Sequence, residues 1–317
     1  MVNRDHLASD APIIHREVVD EHMGDTYTLR WKKEPGVDSH TDDITTDTDR
    51  IIESKLHQRL KVRFGNKIGF VGEETGEHAE PDQERWVADP VDGTTVRLIG
   101  GNLWSSVLAL IDPVTQNISF VSVYQPTAHT QYLFVDGKGS WKETVVHEVG
   151  RRPRRQSTWM YGEDSSALGE LRGCAYIPAR YKKNVPGMDD SLESIFRYIH
   201  HPYIKDGRNY KIADVRPGSG SASLMACHVA EGRIHFQILY QQGAYDLLGF
   251  KITEGADCPA SAGLESHDEG EINNITTVGL QRVNGAVYNK ETTKRLVNTL
   301  LLHPEASTVD ELTALME

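Results

Sequence analysis

Apolar positions change their period along the chain. At Ile51, Ile52, Leu56 and Leu60 they fall at helical spacing, which predicts a helix over 48–63 with Gly65 as its stop. Residues 15–24 read as the end of an opening helix closed by Gly24, and 27–31 as a short strand. The stretch KKEPGVDSHTDD that follows carries Pro35, Gly36, Ser39 and a run of Asp, and reads as loop. Beyond Gly65, short apolar runs between turn residues predict strands at 68–72, 86–89, 105–111, 118–124 and 131–135. Residues 147–173 read as a connector, with Arg151, Arg152, Arg154 and Arg155 as a solvated turn rather than a ligand site.

In the second half, 191–200 has a helical pattern. Ala222, Met225, Ala226 and Val229 recur at i, i+3, i+4 and i+7 in another helix, which Gly232 ends. A strand over 233–239, a buried helix over 247–255 and amphipathic helices at 292–302 and 309–316 complete the reading, with no internal repeat. Strands alternating with helices predict a mixed α/β architecture, dividing near residue 150 into halves 1–150 and 151–317.

A length of 317 residues allows one large domain or two joined ones, each with a core. Lys+Arg minus Asp+Glu is 34 − 46 = −12, the wrong sign for displacing counterions from nucleic-acid phosphates or for adhering to anionic membranes. No apolar stretch approaches the ~20 residues that cross a bilayer, and Met1–Asp10 lacks the apolar core of a signal peptide, so a cytoplasmic protein is expected. Cys174, Cys227 and Cys258 form no Cys-x-x-Cys pair and read as plain packed thiols.

The chemistry concentrates in Trp86-Val87-Ala88-Asp89-Pro90-Val91-Asp92-Gly93-Thr94-Thr95, an apolar strand that runs into a turn bearing two carboxylates. Pro90 fixes the backbone between Asp89 and Asp92, so both acids and the Val91 carbonyl can converge, and hard divalent cations prefer such oxygens. Gly93 permits close approach, and the N–H groups of Gly93, Thr94 and Thr95 form a cradle for a phosphate oxygen if a helix starts there. Alone, such a turn can equally be a side chain bonded to its own loop. A second acidic pair, Glu73-Glu74, ends the strand at 68–72; as a solvated hairpin tip it means nothing, but on a neighbouring strand Glu73 faces Asp89 across a shared metal.

These motifs resemble those of the inositol monophosphatase family. The resemblance rests on Gly72-Glu73-Glu74-Thr75 and Trp86–Thr95, on Asp43–Asp49 with Glu53, on Gly137-Lys138-Gly139-Ser140, and on Gly220–Ser223, Val229–Arg233 and Tyr245-Asp246. It covers about residues 30–260 and implies an αβαβα five-layer sandwich, a homodimer, and two or three Mg²⁺ ions per site between two α/β halves. The implied metal ligands are Glu73, Asp89, Asp92, Asp246 and the Val91 carbonyl. Gly93, Thr94 and Thr95 would hold the phosphate, with Ser221, Ala222, Leu239 and Lys33 around the substrate. Asp49 would sit near Thr94 and, with Glu73, orient the attacking water. The implied activity is a Mg²⁺-dependent phosphomonoesterase acting on a small-molecule phosphate by in-line attack. A bisphosphate phosphatase of the 3′-phosphonucleotide type and a catalytically silent binding protein are the alternatives.

Three positions depart from the family pattern: Val96-Arg97 replaces Asn-Phe, His235 replaces an Asp, and Leu239 falls where an acid grips the inositol hydroxyls. Losing that acceptor disfavours a polyol, because sites built on hydrogen bonds discriminate strongly. A nucleoside, an amino alcohol or a specialised sugar suits Leu239 better, unless Leu239 simply packs in the core. His235 reads as packed or surface, and Arg97 as either a second-anion contact or a salt bridge with a surface acid.

Overall fold

Three neighbouring strands, Ser105–Asp112, Asn117–Gln125 and Thr130–Val135, have Val107, Leu108, Ala109, Phe120, Val121, Leu133 and Val135 shut off from solvent. Such continuous burial marks the middle of a large sheet covered on both faces. The computed structural model describes residues 4–24, 28–31, 44–115, 117–146, 154–160, 164–165, 171–176, 203–205, 208–210, 213–217, 220–234, 236–240, 245, 248–256, 260–261, 275–279, 282–283 and 286–287. In chain order the first elements are helix α1 (Arg4–His22), strands β1 (Leu29–Trp31) and β2 (Ile44–Thr46), and helix α2 (Asp47–Phe64). Strands β3 (Gly69–Gly72), β4 (Gly76–His78) and β5 (Arg85–Asp92), the short helix α3 (Thr94–Leu98), and β6 to β8, the three central strands above, come next. Strands β9 (Gly139–Val146) and β10 (Arg154–Trp159) close this run.

The sheet has eight strands in the order β10-β9-β8-β7-β6-β5-β3-β4. All its pairings are antiparallel except β3 with β5, which run parallel with Gly72 opposite Ala88. A parallel pair ends both strands on the same side. α1 and α2 cover a core of Leu7, Val18, Ile52, Leu56, Leu60, Phe70, Trp86 and Phe120.

The helix over 48–63 is found as α2 and the central strands lie within a residue of their expected ends, but two expectations fail. β5 does not end at Asp89; it continues to Asp92 through a register shift against β6. Residues 154–159 are strand rather than connector, an exposed edge whose Arg154 and Arg155 pair with Val146 and Val145 of β9. The helices expected at 191–200, 292–302 and 309–316 lie outside the described residues.

The chain forms two compact units, one of residues 1–160, 219–227 and 243–255, the other of 161–218, 228–242 and 256–317. In the second lie β11 (Asp164–Ser165), β12 (Leu171–Tyr176), β13 (Tyr203–Lys205), β14 (Arg208–Tyr210) and β15 (Ala213–Pro217). Helix α4 (Ala222–Ala230) is followed by β16 (Phe236–Tyr240), α5 (Phe250–Gly255), β17 (Ala260–Ser261) and β18 (Ile275–Gly279). The second unit's main sheet has the order β15-β12-β16-β18-β17, with β12 parallel to both neighbours. Cys174 and Cys227 are buried free thiols, as expected.

One polar chain crosses the first unit's core. Ser106 Oγ donates to the Asp89 carbonyl at 3.3 Å, so it accepts from His15 Nε2 at 3.0 Å, and Nδ1 in turn accepts from Ser122 Oγ at 2.8 Å. His15 is fully buried; burial, and then the charge of Arg16, push its pKa down to about 3, which keeps the ring neutral as this chain requires.

Candidate active site

The Asp89–Thr95 segment is shaped by its own short-range bonds. Asp89 Oδ1 accepts the Val91 N–H at 3.0 Å, which folds the chain around Pro90. The Thr94 hydroxyl donates to the Val91 carbonyl at 2.9 Å. Gly93 stands at φ +94°, a conformation that disfavours any side chain, and a Cβ there would lie 2.9 Å from Ser221 N and 3.3 Å from Trp104 Cβ. α3 starts immediately after it, with the Arg97 N–H reaching back to the Gly93 carbonyl at 3.1 Å. The N–H groups of Gly93, Thr94 and Thr95 thus precede the helix's first internal bond, the arrangement that favours an anion.

Asp92 is buried against the start of α4. Its Oδ2 accepts from Ser221 Oγ at 2.6 Å and from Ser223 N at 2.8 Å, and its Oδ1 accepts from Ala222 N at 3.0 Å. Ser221 also caps the helix by accepting the Leu224 N–H at 2.8 Å, so the Ser105 hydroxyl, 2.7 Å away, donates to it. The carboxylate and the helix N-terminus therefore satisfy each other. Burial nevertheless pushes the Asp92 pKa up to about 6, against the pull of these hydrogen bonds. Ser221 and Ala222, expected at the substrate, both donate hydrogen bonds to Asp92.

Glu73 follows β3 directly, and its N–H donates to the Ala88 carbonyl of β5 at 3.1 Å. The parallel pairing thereby sets Glu73 beside Asp89 along the two strand ends, with Glu73 exposed and Asp89 buried. The turn after Glu73 is gripped by Glu53 of α2, a fully buried carboxylate whose Oε1 accepts Glu74 N at 2.7 Å and whose Oε2 accepts Thr75 N at 2.9 Å. Burial, only partly offset by those bonds, pushes Glu53 up to about 7.

Asp49 does not hydrogen-bond to Thr94. Its Oδ2 accepts Thr46 N at 2.7 Å, closing the capping box of α2, and its Oδ1 lies 3.5 Å from Arg97 Nη1. Arg97 is buried, its guanidinium 5.1 Å from the centre of the Trp104 ring. Burial raises the Asp49 pKa more than Thr46 and Arg97 lower it. The partner of Arg97 is thus a buried acid, and the ion pair joins α2 to α3.

Asp246, Lys33 and His235 lie outside the described residues, as does the side chain of Leu239, whose backbone sits in β16. Among the described residues no three His, Cys, Asp or Glu side chains gather as a set that could hold a metal ion. Glu73, Asp89 and Asp92 offer the right oxygen chemistry for a hard cation, but the three do not complete a shell. Sequence reasoning did not foresee the capture of Asp92 by α4, for which Ser221 heading an apolar helical run was the available signal, or the grip of Glu53 on the Glu73 turn.

The sequence model of the Inositol monophosphatase family matches residues 7–249. A histidinol-phosphatase of Mycobacterium tuberculosis is 32% identical over 123 residues, 38% of this chain and 44% of that enzyme. Inositol monophosphatase 1 of Solanum lycopersicum is 28% identical over 213 residues, 65% of this chain and 67% of its own length. The solved structure of an IMPase from Thermotoga maritima superposes with a TM-score of 0.62 at 18% identity, covering 99% of this chain and 100% of that one. Such a likeness at low identity shows a shared fold.

Proposed function

The chain belongs to the inositol monophosphatase family, and from that premise we propose that it is a Mg²⁺-dependent phosphomonoesterase acting on a small-metabolite phosphate. The observation that carries this reading is the meeting of two strand ends, Glu73 after β3 and Asp89–Asp92 closing the parallel β5, in front of the glycine-led start of α3. Glu73, Asp89, Asp92, the Val91 carbonyl and, on the family pattern, Asp246 would hold two or three ions. Bound Mg²⁺ would neutralise the phosphate's charge and acidify water near neutral pH.

The chain's own residues do the rest. The N–H groups of Gly93, Thr94 and Thr95 bind phosphate oxygens, and the Thr94 hydroxyl, held against Val91, keeps the cradle in register with the acids. Asp49 acts through Arg97: anchored in the α2 cap, it fixes α3 and hence Thr94 and Thr95. Glu73, exposed just after β3, would orient the attacking water. The same reading makes the protein a cytoplasmic homodimer.

On the family pattern Leu239 falls where an acid would grip a polyol, so an amino-alcohol phosphate is preferred over inositol phosphate; a histidinol-phosphatase stands among the relatives, 32% identical over 123 residues. The experiment is inorganic phosphate release from inositol, sugar, nucleotide and amino-alcohol phosphates, with Mg²⁺ and with a chelator. Release that requires Mg²⁺ and favours one monoester is expected; no release from any ester, or release indifferent to chelation, overturns the reading.

A further inference from the structure

Three consecutive backbone N–H groups around Glu73 are committed to fixed acceptors. Its own goes to Ala88 O of β5, and the next two go to the two carboxylate oxygens of Glu53. Gly72, just before Glu73, completes the fit, since a Cβ there would stand 2.6 Å from Glu53 Cδ and overlap the carboxylate. Glu53 shares α2 with the core residues Ile52 and Leu56 and is itself wholly buried. Desolvating a carboxylate costs several kcal/mol that a hydrophobic residue would not incur. Thr75 is exposed, so water could serve its N–H equally well. What water cannot do is hold the turn in one conformation relative to β5.

We propose that Glu53 is a positioning residue of the metal site: it clamps the Glu74–Thr75 turn so that Glu73 is presented to a Mg²⁺ ion beside Asp89. The inference rests on the phosphatase reading above and adds to it a residue that touches neither metal nor substrate. Glu53 orders the backbone that carries Glu73, in the way that groups behind a metal ligand orient it.

The test is Mg²⁺ binding, measured by calorimetry on the full chain without substrate, together with the Mg²⁺ concentration giving half-maximal phosphate release. In Glu53→Gln an NH₂ group replaces one acceptor and faces a backbone N–H. Mg²⁺ affinity should fall ~10- to 100-fold, the range seen when groups supporting metal ligands are changed, while KM for the ester at saturating Mg²⁺ stays unchanged. Gly72→Ala, which displaces the carboxylate without removing it, should shift Mg²⁺ binding the same way, and Glu53→Asp should recover part of the loss. Gly72→Ala and Glu53→Asp decide the matter should Glu53→Gln not fold. Folded variants that bind Mg²⁺ as the wild type does overturn the role of Glu53 and leave the phosphatase reading standing. A wild-type chain that binds no Mg²⁺ overturns both.

Discussion

Asp92 and Glu73 stand on adjoining strands at one end of the sheet, yet the fold treats them in opposite ways. Asp92 is buried and its own oxygens take hydrogen bonds from the α4 backbone and from the Ser221 hydroxyl. Glu73 is exposed, and its surroundings are organised through the backbone on either side of it. The first acid is fixed through its own oxygens, and the second through the backbone that carries it. A site that must bind a cation reversibly can use both, one as an anchor already neutralised by a helix terminus and one as a ligand open to exchange.

The comparison breaks most sharply at Asp89, which lies between them. Asp89→Asn should reduce phosphate release by ~10³-fold, since losing several kcal/mol of charge stabilisation, at about 1.4 kcal/mol per factor of ten, amounts to that. The variant should fold, because removing one buried acid among several lessens their mutual repulsion in the metal-free chain. Steady-state phosphate release at saturating Mg²⁺ checks this, and a fully active variant would remove Asp89 from the metal set.

How much of this contrast could be read from the sequence depended on distance along the chain. Asp89, Asp92 and Gly93 are neighbours in sequence, and Glu73 follows an apolar run only sixteen residues before Asp89, so the acidic strand ends were legible. The capture of Asp92 by Ser221, Ala222 and Ser223 spans about 130 positions and leaves no periodic trace. Strand β10 was missed for a different reason. All six of its residues are exposed, so no alternation marked it, and its arginines looked like a turn. The β5 extension was hidden by Pro90, which cannot donate to a ladder and ordinarily ends one.

A second prediction concerns the buried member of the pair. In the folded chain the pKa of Asp92 is raised to about 6 and that of Glu53 to about 7, so between pH 4 and 7 the native state binds more protons than the unfolded one. The sign follows: with metal chelated, the contribution of these groups is fully present below pH 4 and is lost as pH rises through 6 and 7. The loss should be on the order of 6 kcal/mol, read as a falling urea midpoint. Asp92→Asn should flatten the slope. Mg²⁺ should restore stability mainly at the upper end, where the carboxylates are ionised and able to bind it.

The smallest effect is expected at Glu74, where the comparison is sharpest. Glu74 adjoins Glu73 and is a carboxylate as well, but the bond that matters is donated by its backbone N–H to Glu53. Replacing its side chain leaves that N–H in place and removes a negative charge that works against ionised Glu53. Glu74→Gln should therefore stay within the ~0.5 kcal/mol typical of surface changes, about a twofold effect on phosphate release. A loss comparable to that of Asp89→Asn would mean that the Glu74 carboxylate itself engages the cation. The division of labour between a backbone-held turn and a single outward acid would then have to give way to a ligand pair, Glu73 with Glu74, at the end of β3.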